Sequence, residues 1–344
     1  KKSNRLTEVI IYYYSPYQGL IGKLYSDYKY RSIYKKSLKS YITKKGLPKI
    51  VHVHVAMKAG LIALWMLRRF NVPYILSEHW SGLLPNTKPS FRDLPFYMQV
   101  NYRKVLVNAL EISTVSEYLG ESIKSSFYIH SYKLIPNVVD TSIFKPHSLN
   151  ISQEIKFIHI SSLKFEKNPE MLLNALSILK YEKVKFNCLI VGPDNKEIKN
   201  MADTLGLNSI IQFENERPQS QLSDLINKSH ALILCSRYET FGCVIIEANS
   251  CGVPVLVSDI PAMHEIVEEG VNGMFVEKDN PQSLALIIKK FISEKNKFSP
   301  FEIAAKTHEK YSYRVVGKKF DLWYRHLNNK NKSAKFNCKA FIMI

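Results

Sequence analysis

The sequence predicts an α/β protein made of two doubly wound domains in series, with a ligand cleft between them. Three observations lead there. At 344 residues the chain is longer than one ordinary domain. Through its second half, strongly apolar strands alternate with amphipathic helices, as a parallel sheet covered on both faces requires. Between the halves, LIPNVVDTSIFKPHS (134–148) is turn-rich, carries two prolines and reads as a linker.

The elements follow in order. In the first half EVIIYYY (8–14), IVHVHVA (50–56), PYILSEH (73–79) and EISTVS (111–116) read as strands. Helices are expected over AGLIALWMLRRF (59–70) and around 94–110. In the second half KFIHISSL (156–163) is a buried strand. PEMLLNALSILK (169–180) is a helix with proline in its first turn. KFNCLIVG, IIQFEN, HALILCS, PVLVSD and GMFVE are strands. The stretches at 196–207, 219–229, 242–250, 262–270 and 281–294 are helices. A long amphipathic helix is expected over 311–327, and the tail from 328 has no pattern to assign. The expected domains are 1–148, 149–310, a C-terminal helix 311–328 and a tail 329–344.

Composition narrows the class. The longest apolar run near the first half, LIALWML, is far short of the roughly 20 residues of a membrane span. Five cysteines include no C-x-x-C pair, so zinc and dithiol chemistry are set aside and a reduced, cytoplasmic compartment is expected. The chain opens on Lys-Lys, which predicts further sequence before it. Net charge is +18, and residues 1–150 carry 22 Lys/Arg against 8 Asp/Glu. That asymmetry suggests an acidic partner for the first half: an anionic membrane surface, a phosphorylated acceptor or nucleic acid. Abundant Lys, Ile, Asn and Tyr, as AT-rich coding would give, explain it equally well. YKYRSIYKKSLKSYITKK (28–45) interleaves aromatics with lysines; it suits either an anionic membrane or a plain exposed helix face.

Ligands of open α/β sheets bind at the carboxyl ends of strands. HALILCS is followed there by RYETFG, which puts Glu239 in a strand-end loop and Thr240, Phe241 and Gly242 in the turn into a helix. The free N–H groups of such a turn suit a phosphate, and a glycine lets it approach. Glu247, a turn and a half further on, can point back to the same place. A carboxylate repels phosphate and accepts from paired hydroxyls, so each glutamate is suited to a sugar. After KFIHISS stand Lys164 and Lys167, point charges for a diphosphate or plain surface lysines. His52 and His54 share a strand face, but no third metal ligand accompanies them, so packing is preferred. No Asp-x-Asp occurs, and no metal is expected.

Glu239-Thr-Phe-Gly-x4-Glu247-Ala-x2-Cys-Gly-x-Pro-Val, with Glu265 and Asn272-Gly273 downstream, resembles the nucleotide-sugar domain of retaining glycosyltransferases of family 4. FEKNPEMLLNAL, LIVGP, HVHVAMKAGLIALWML, SEHWSG, TVSEYL and LIPNVVDTSIF extend the resemblance over about residues 50–325. It implies a GT-B fold: two Rossmann-like domains facing across a cleft, the C-terminal helix returning to the first. It further implies a UDP- or GDP-sugar donor held mainly by 151–310 and an acceptor, lipid-linked or saccharide, held mainly by 1–140. Glu239 would contact the donor sugar, the Phe241 and Gly242 backbone the sugar and phosphate, Glu247 the ribose and Lys167 the diphosphate. His79 would meet the transferred sugar. The implied activity is metal-independent transfer with retention in bacterial surface polysaccharide or glycolipid synthesis, on the inner membrane face. Three departures stand out. Ser161-Ser162-Leu163 replaces Gly-Arg-Leu, leaving Lys164 as the second phosphate cation. Ala262-Met263-His264 precedes Glu265 where Gly-Gly is usual. The family's first strand and glycine-rich loop are absent, and Gly19–Lys23 is a poor substitute. A nucleotide-sugar epimerase of the same fold, or a truncated nucleotide-binding relic, therefore stay open; nucleic acid is a distant alternative.

Overall fold

A computed structural model describes residues 8, 10–14, 16–147, 154–330 and 341–343. In chain order its main elements are α1 (Gly19–Lys45), β1 (Ile50–His54), α2 (Ala59–Phe70), β2 (Tyr74–Glu78), α3 (Phe96–Asn108), β3 (Ile112–Thr114), α4 (Glu117–Phe127) and β4 (Lys133–Leu134). Then come β5 (Lys156–Ile160), α5 (Pro169–Tyr181), β6 (Asn187–Val191), α6 (Lys196–Thr204), β7 (Ile211–Glu214), α7 (Gln219–Asn227) and β8 (Ala231–Leu234). The series ends with α8 (Cys243–Ser250), β9 (Val255–Ser258), β10 (Gly273–Val276), α9 (Pro281–Glu294), α10 (Pro300–Tyr311), α11 (Tyr313–Lys330) and β11 (Phe341–Met343). This is the α/β architecture that the strand–helix rhythm predicts.

The chain divides into two compact units. One takes the described residues up to Ser77, together with Val100–Glu111 and Phe341–Met343; the other takes Glu78–Gln99 and the described residues from Ile112 to Lys330. The expected junction at 148/149 lies outside the described residues.

In the first unit β1 pairs in parallel with β2 on one side and β11 on the other. Tyr74–Ser77, the part of β2 in this unit, is buried throughout, and so is most of β1. Ile62, Ala63 and Met66 of α2 pack with at most 1% exposure, at the spacing of one helix face. Two sequence expectations fail here. The described part of 8–14 forms no strand and is exposed. It has apolar residues but no neighbouring strand to satisfy its backbone. In its place the unassigned tail supplies β11, with Phe341 opposite Ile50. Three apolar residues, too short to show a period, become a strand only because an edge is free to pair.

In the second unit a six-stranded parallel sheet runs β10-β9-β8-β5-β6-β7. Phe157 of β5, Leu172, Leu176 and Leu179 of α5, Ile190 of β6 and Ile288 of α9 are fully buried around it. Each such side chain contributes about 2 kcal/mol by leaving water. Strand order reverses between β5 and β8: from β5 the chain winds to β6 and β7, then returns to β8 and winds the other way. The carboxyl ends of β5 and β8 are thus the topological switch point, where open sheets keep their ligands. The expected helix at 262–270 shortens to a 3₁₀ turn, Pro261–Glu265. Helix α10 was not anticipated, because 300–311 has a mixed face behind a proline.

Candidate functional site

Two loops build the site. The β5 loop passes through Leu163 in a left-handed conformation (φ 51°) into a 3₁₀ turn, Phe165–Lys167. Asn168 is left-handed too (φ 51°), and Pro169 then starts α5. The β8 loop runs from Cys235 to Gly242, whose φ of 91° a side chain would resist. Gly242 caps α8 without a side-chain acceptor; the Ile245 amide turns back to the Gly242 carbonyl at 3.0 Å, which leaves the Cys243 and Val244 amides without an intrahelical acceptor.

Arg237 joins the loops. Its guanidinium lies over the Phe165 ring at 4.2 Å, donates to the Phe165 carbonyl and pairs with Asp279 at 3.2 Å. Its backbone N–H donates to the Glu166 carbonyl at 2.9 Å. With the loops held, the Lys167 ammonium donates to Glu239 Oε1, which also accepts from the Ser236 hydroxyl at 2.8 Å. The Glu239 side chain is only 9% exposed and that of Lys167 23%.

Glu247 projects from the middle of α8. It is half-buried, and burial pushes its carboxyl up to about 7. Among the described residues no hydrogen bond or ion pair compensates it. Cys243, in the first turn of α8, lies where both glutamates act. Burial of the thiol, then the charges of Glu247 and Glu239, push it up to about 11, while Lys167 and a hydrogen bond with Asn137 oppose the rise. Part of the Cys243 residue stays open to solvent.

The structure therefore gathers Lys167, Glu239 and Glu247 of the predicted set. Thr240 is half-buried in the same turn, and Phe241 is buried against Tyr311 with ring centroids 5.7 Å apart. That contact leaves its backbone, not its ring, for a ligand. Lys164 is exposed and makes no ion pair among the described residues. His79 also lies in this unit, directly after the end of β2. Buried Glu78 accepts the N–H groups of His79 and Trp80 on one carboxylate oxygen, both at 2.9 Å, which fixes the turn. Burial lowers the pKa of the imidazole. The segment after His79 meets the β8 loop, where Tyr238 donates to the Lys88 carbonyl at 2.6 Å. The expected packing of His52 takes the form of a 2.8 Å hydrogen bond to Ser77, and no metal-binding cluster of His, Cys, Asp and Glu occurs among the described residues.

Sequence reasoning missed Ser236, Arg237 and Asn137. The first two flank Glu239 in the chain, a signal that was available; Asn137 lies over a hundred residues away and left none. Glu265 entered only as part of a motif. It accepts the first amides of α4, from Glu117 at 2.7 Å and Tyr118 at 2.8 Å.

The model of the family described as "Glycosyl transferases group 1" matches residues 141–321. An uncharacterised glycosyltransferase of Methanocaldococcus jannaschii is 23% identical over 248 residues, 72% of this chain and 66% of its own. One subunit of the phosphatidylinositol N-acetylglucosaminyltransferase of Arabidopsis thaliana is 26% identical over 213 residues, 61% of this chain and 47% of its own. The match to these two relatives thus spans less than two thirds of their length. Among solved structures, the sucrose-phosphate synthase of Thermosynechococcus elongatus aligns with a TM-score of 0.76 at 18% identity, over 86% of this chain and 77% of that one. HepE of Anabaena, in complex with UDP-glucose, aligns at 0.71 and 19% identity, over 85% of this chain and 82% of that one. These likenesses show the GT-B fold. With the family model covering more than half its length, the chain belongs to the group 1 glycosyl transferases.

Proposed function

We propose that this chain moves a hexosyl group from a nucleoside-diphosphate sugar to an acceptor hydroxyl with retention of configuration, without a metal. The observation that carries the proposal is Glu247: a half-buried carboxylate with no protein partner among the described residues, beside the Lys167–Glu239 pair at the switch point. A carboxylate so placed is stabilised by a ligand that brings hydroxyl donors.

Each residue then has a task. Glu247 accepts from the ribose diol. The diphosphate draws Lys167 off Glu239, and Glu239 turns its freed oxygen to the donor sugar. The amides at Thr240, Phe241 and Gly242 and the positive end of α8 face the phosphates. Lys164 folds in from solvent as the second cation. As the bond from the anomeric carbon to the diphosphate breaks, the acceptor oxygen bonds to that carbon and its proton passes to the leaving diphosphate. His79, kept neutral by burial, can contact the sugar without repelling its developing positive charge. The acceptor is lipid-linked or a saccharide of bacterial surface polysaccharide or glycolipid synthesis, reached from the cytoplasmic face of the membrane. The excess of 22 basic over 8 acidic residues in 1–150 supports such a location.

Incubation with a panel of UDP- and GDP-sugars tests the reading. Release of nucleoside diphosphate, lost in Glu247→Gln and His79→Ala, is expected. A sugar altered while still bound to nucleotide would replace the proposal with epimerisation. Binding without turnover by any donor would leave only a nucleotide-binding protein.

A further inference from the structure

A separate cavity lies wholly within the first unit, between α1, α2 and α3. It measures about 230 Å³ and is lined by Arg31, Lys35, Arg68 and Lys104 over a floor that includes Leu61 and Trp65. Lys35 lies over the Trp65 ring at 5.5 Å. None of the four cations has an acidic partner among the described residues. Asp27, the sole acid of α1, is taken by Lys58 at 3.1 Å. Four like charges around one small cavity repel each other until an anion enters. Arg68 stands in the last turn of α2, away from the strand ends where substrates of such sheets bind.

The cavity also continues an apolar stripe. Ile21, Leu24 and Tyr28 are 67%, 62% and 68% exposed, and with Arg31 and Lys35 they recur at alternating steps of three and four along α1. That spacing aligns them on one helix face. Exposed apolar and aromatic side chains leading into a cationic pocket match the two layers of a bilayer surface, acyl boundary and anionic headgroup.

We propose that this pocket binds the phosphate of an anionic lipid headgroup, with the Ile21–Leu24–Tyr28 stripe entering the interface beside it. The inference rests on the membrane-surface location proposed above and assigns it a specific site; it is independent of the transfer chemistry.

Flotation with vesicles of mixed phosphatidylglycerol and phosphatidylcholine tests it, with pure phosphatidylcholine as reference. Arg31→Gln with Arg68→Gln should lower partitioning onto the anionic vesicles at least about tenfold. Lys36→Gln with Lys39→Gln removes the same charge from α1 outside the pocket and should lower it less than about threefold. Equal losses would overturn the pocket in favour of diffuse attraction. Displacement of the protein from vesicles by inorganic pyrophosphate bound equally tightly would overturn the lipid source. Should the arginine pair fail to fold, brominated lipid decides: it must quench wild-type fluorescence and quench Trp65→Phe less, and equal quenching refutes the proposal. UDP binding, read by thermal shift on every variant, separates this result from the transferase reading. It should persist when vesicle binding is lost.

Discussion

Lys167 and Glu239, 72 positions apart in the chain, are joined by a hydrogen-bonded ion pair that links the loop after β5 to the loop after β8. The two residues expected to hold different parts of a donor hold each other first. On the proposed reading, donor binding would exchange one partner for another, with the ligand's hydroxyls offsetting the cost of separating a buried carboxylate from its cation.

Removal of the ammonium should destabilise the fold. In Lys167→Gln the nearly buried Glu239 keeps, among the described residues, Ser236 as its side-chain donor, and a loss of about 2 kcal/mol in urea unfolding is expected. The same variant should lose its thermal stabilisation by UDP. A double variant with Glu239→Gln should recover most of the stability and none of the UDP response. If the double variant is no more stable than the single, the pair is not what Glu239 depends on.

Glu247 predicts a pH dependence. Its carboxyl is raised from 4.5 to about 7 in the folded chain. The protonated form is therefore favoured by folding, and its contribution is fully present below pH 4.5 and lost as pH rises through about 7. Relative to Glu247→Gln, the wild type should lose about 2–3 kcal/mol of stability across that window. Donor binding runs the other way, because the hydroxyls need the carboxylate as acceptor. UDP affinity should rise between pH 6 and 8 in the wild type and stay flat in the glutamine variant, as calorimetry can check.

Cys243 offers a chemical reporter. The other three cysteines among the described residues are buried. With its thiol pushed up to about 11, Cys243 should react with maleimide at pH 7.5 more than tenfold more slowly than a free thiol of pKa about 8.5. UDP-sugar should slow it further by covering α8's first turn. Mass spectrometry of the labelled peptide reads both effects; labelling indifferent to nucleotide would place the ligand elsewhere.

Glu265 anchors α4 by accepting its first two amides. Glu265→Ala frees the Glu117 and Tyr118 amides and removes a negative charge from the positive end of α4. A loss of about 1–2 kcal/mol is expected. Hydrogen exchange should accelerate over 117–127 before it does in the six-stranded sheet.

Much of this was legible beforehand. Most strands and helices of the second unit follow from local pattern, since β6, β8 and β9 carry continuous apolar runs and α5 and α9 open on proline. The loops bearing Glu239 and Lys167 could be placed from strand ends without coordinates. The first unit was less readable. The described part of EVIIYYY has the composition of a strand and pairs with no strand among the described residues, whereas Phe341–Met343 lacks a visible pattern and pairs with β1.

By itself the sequence determined the alternation of strands and helices from β5 to α9, the strand-end position of the acidic and basic residues, and the concentration of positive charge in the first 150 residues. These depend on local periodicity and composition, which neighbouring residues encode. Tertiary structure decided that Lys167 neutralises Glu239, that Glu247 is desolvated without a partner among the described residues, that Arg237 ties the loops, and that four cations share one cavity. Those facts depend on distances between residues far apart in the chain, and on which backbone edges remain unpaired once the sheets have formed.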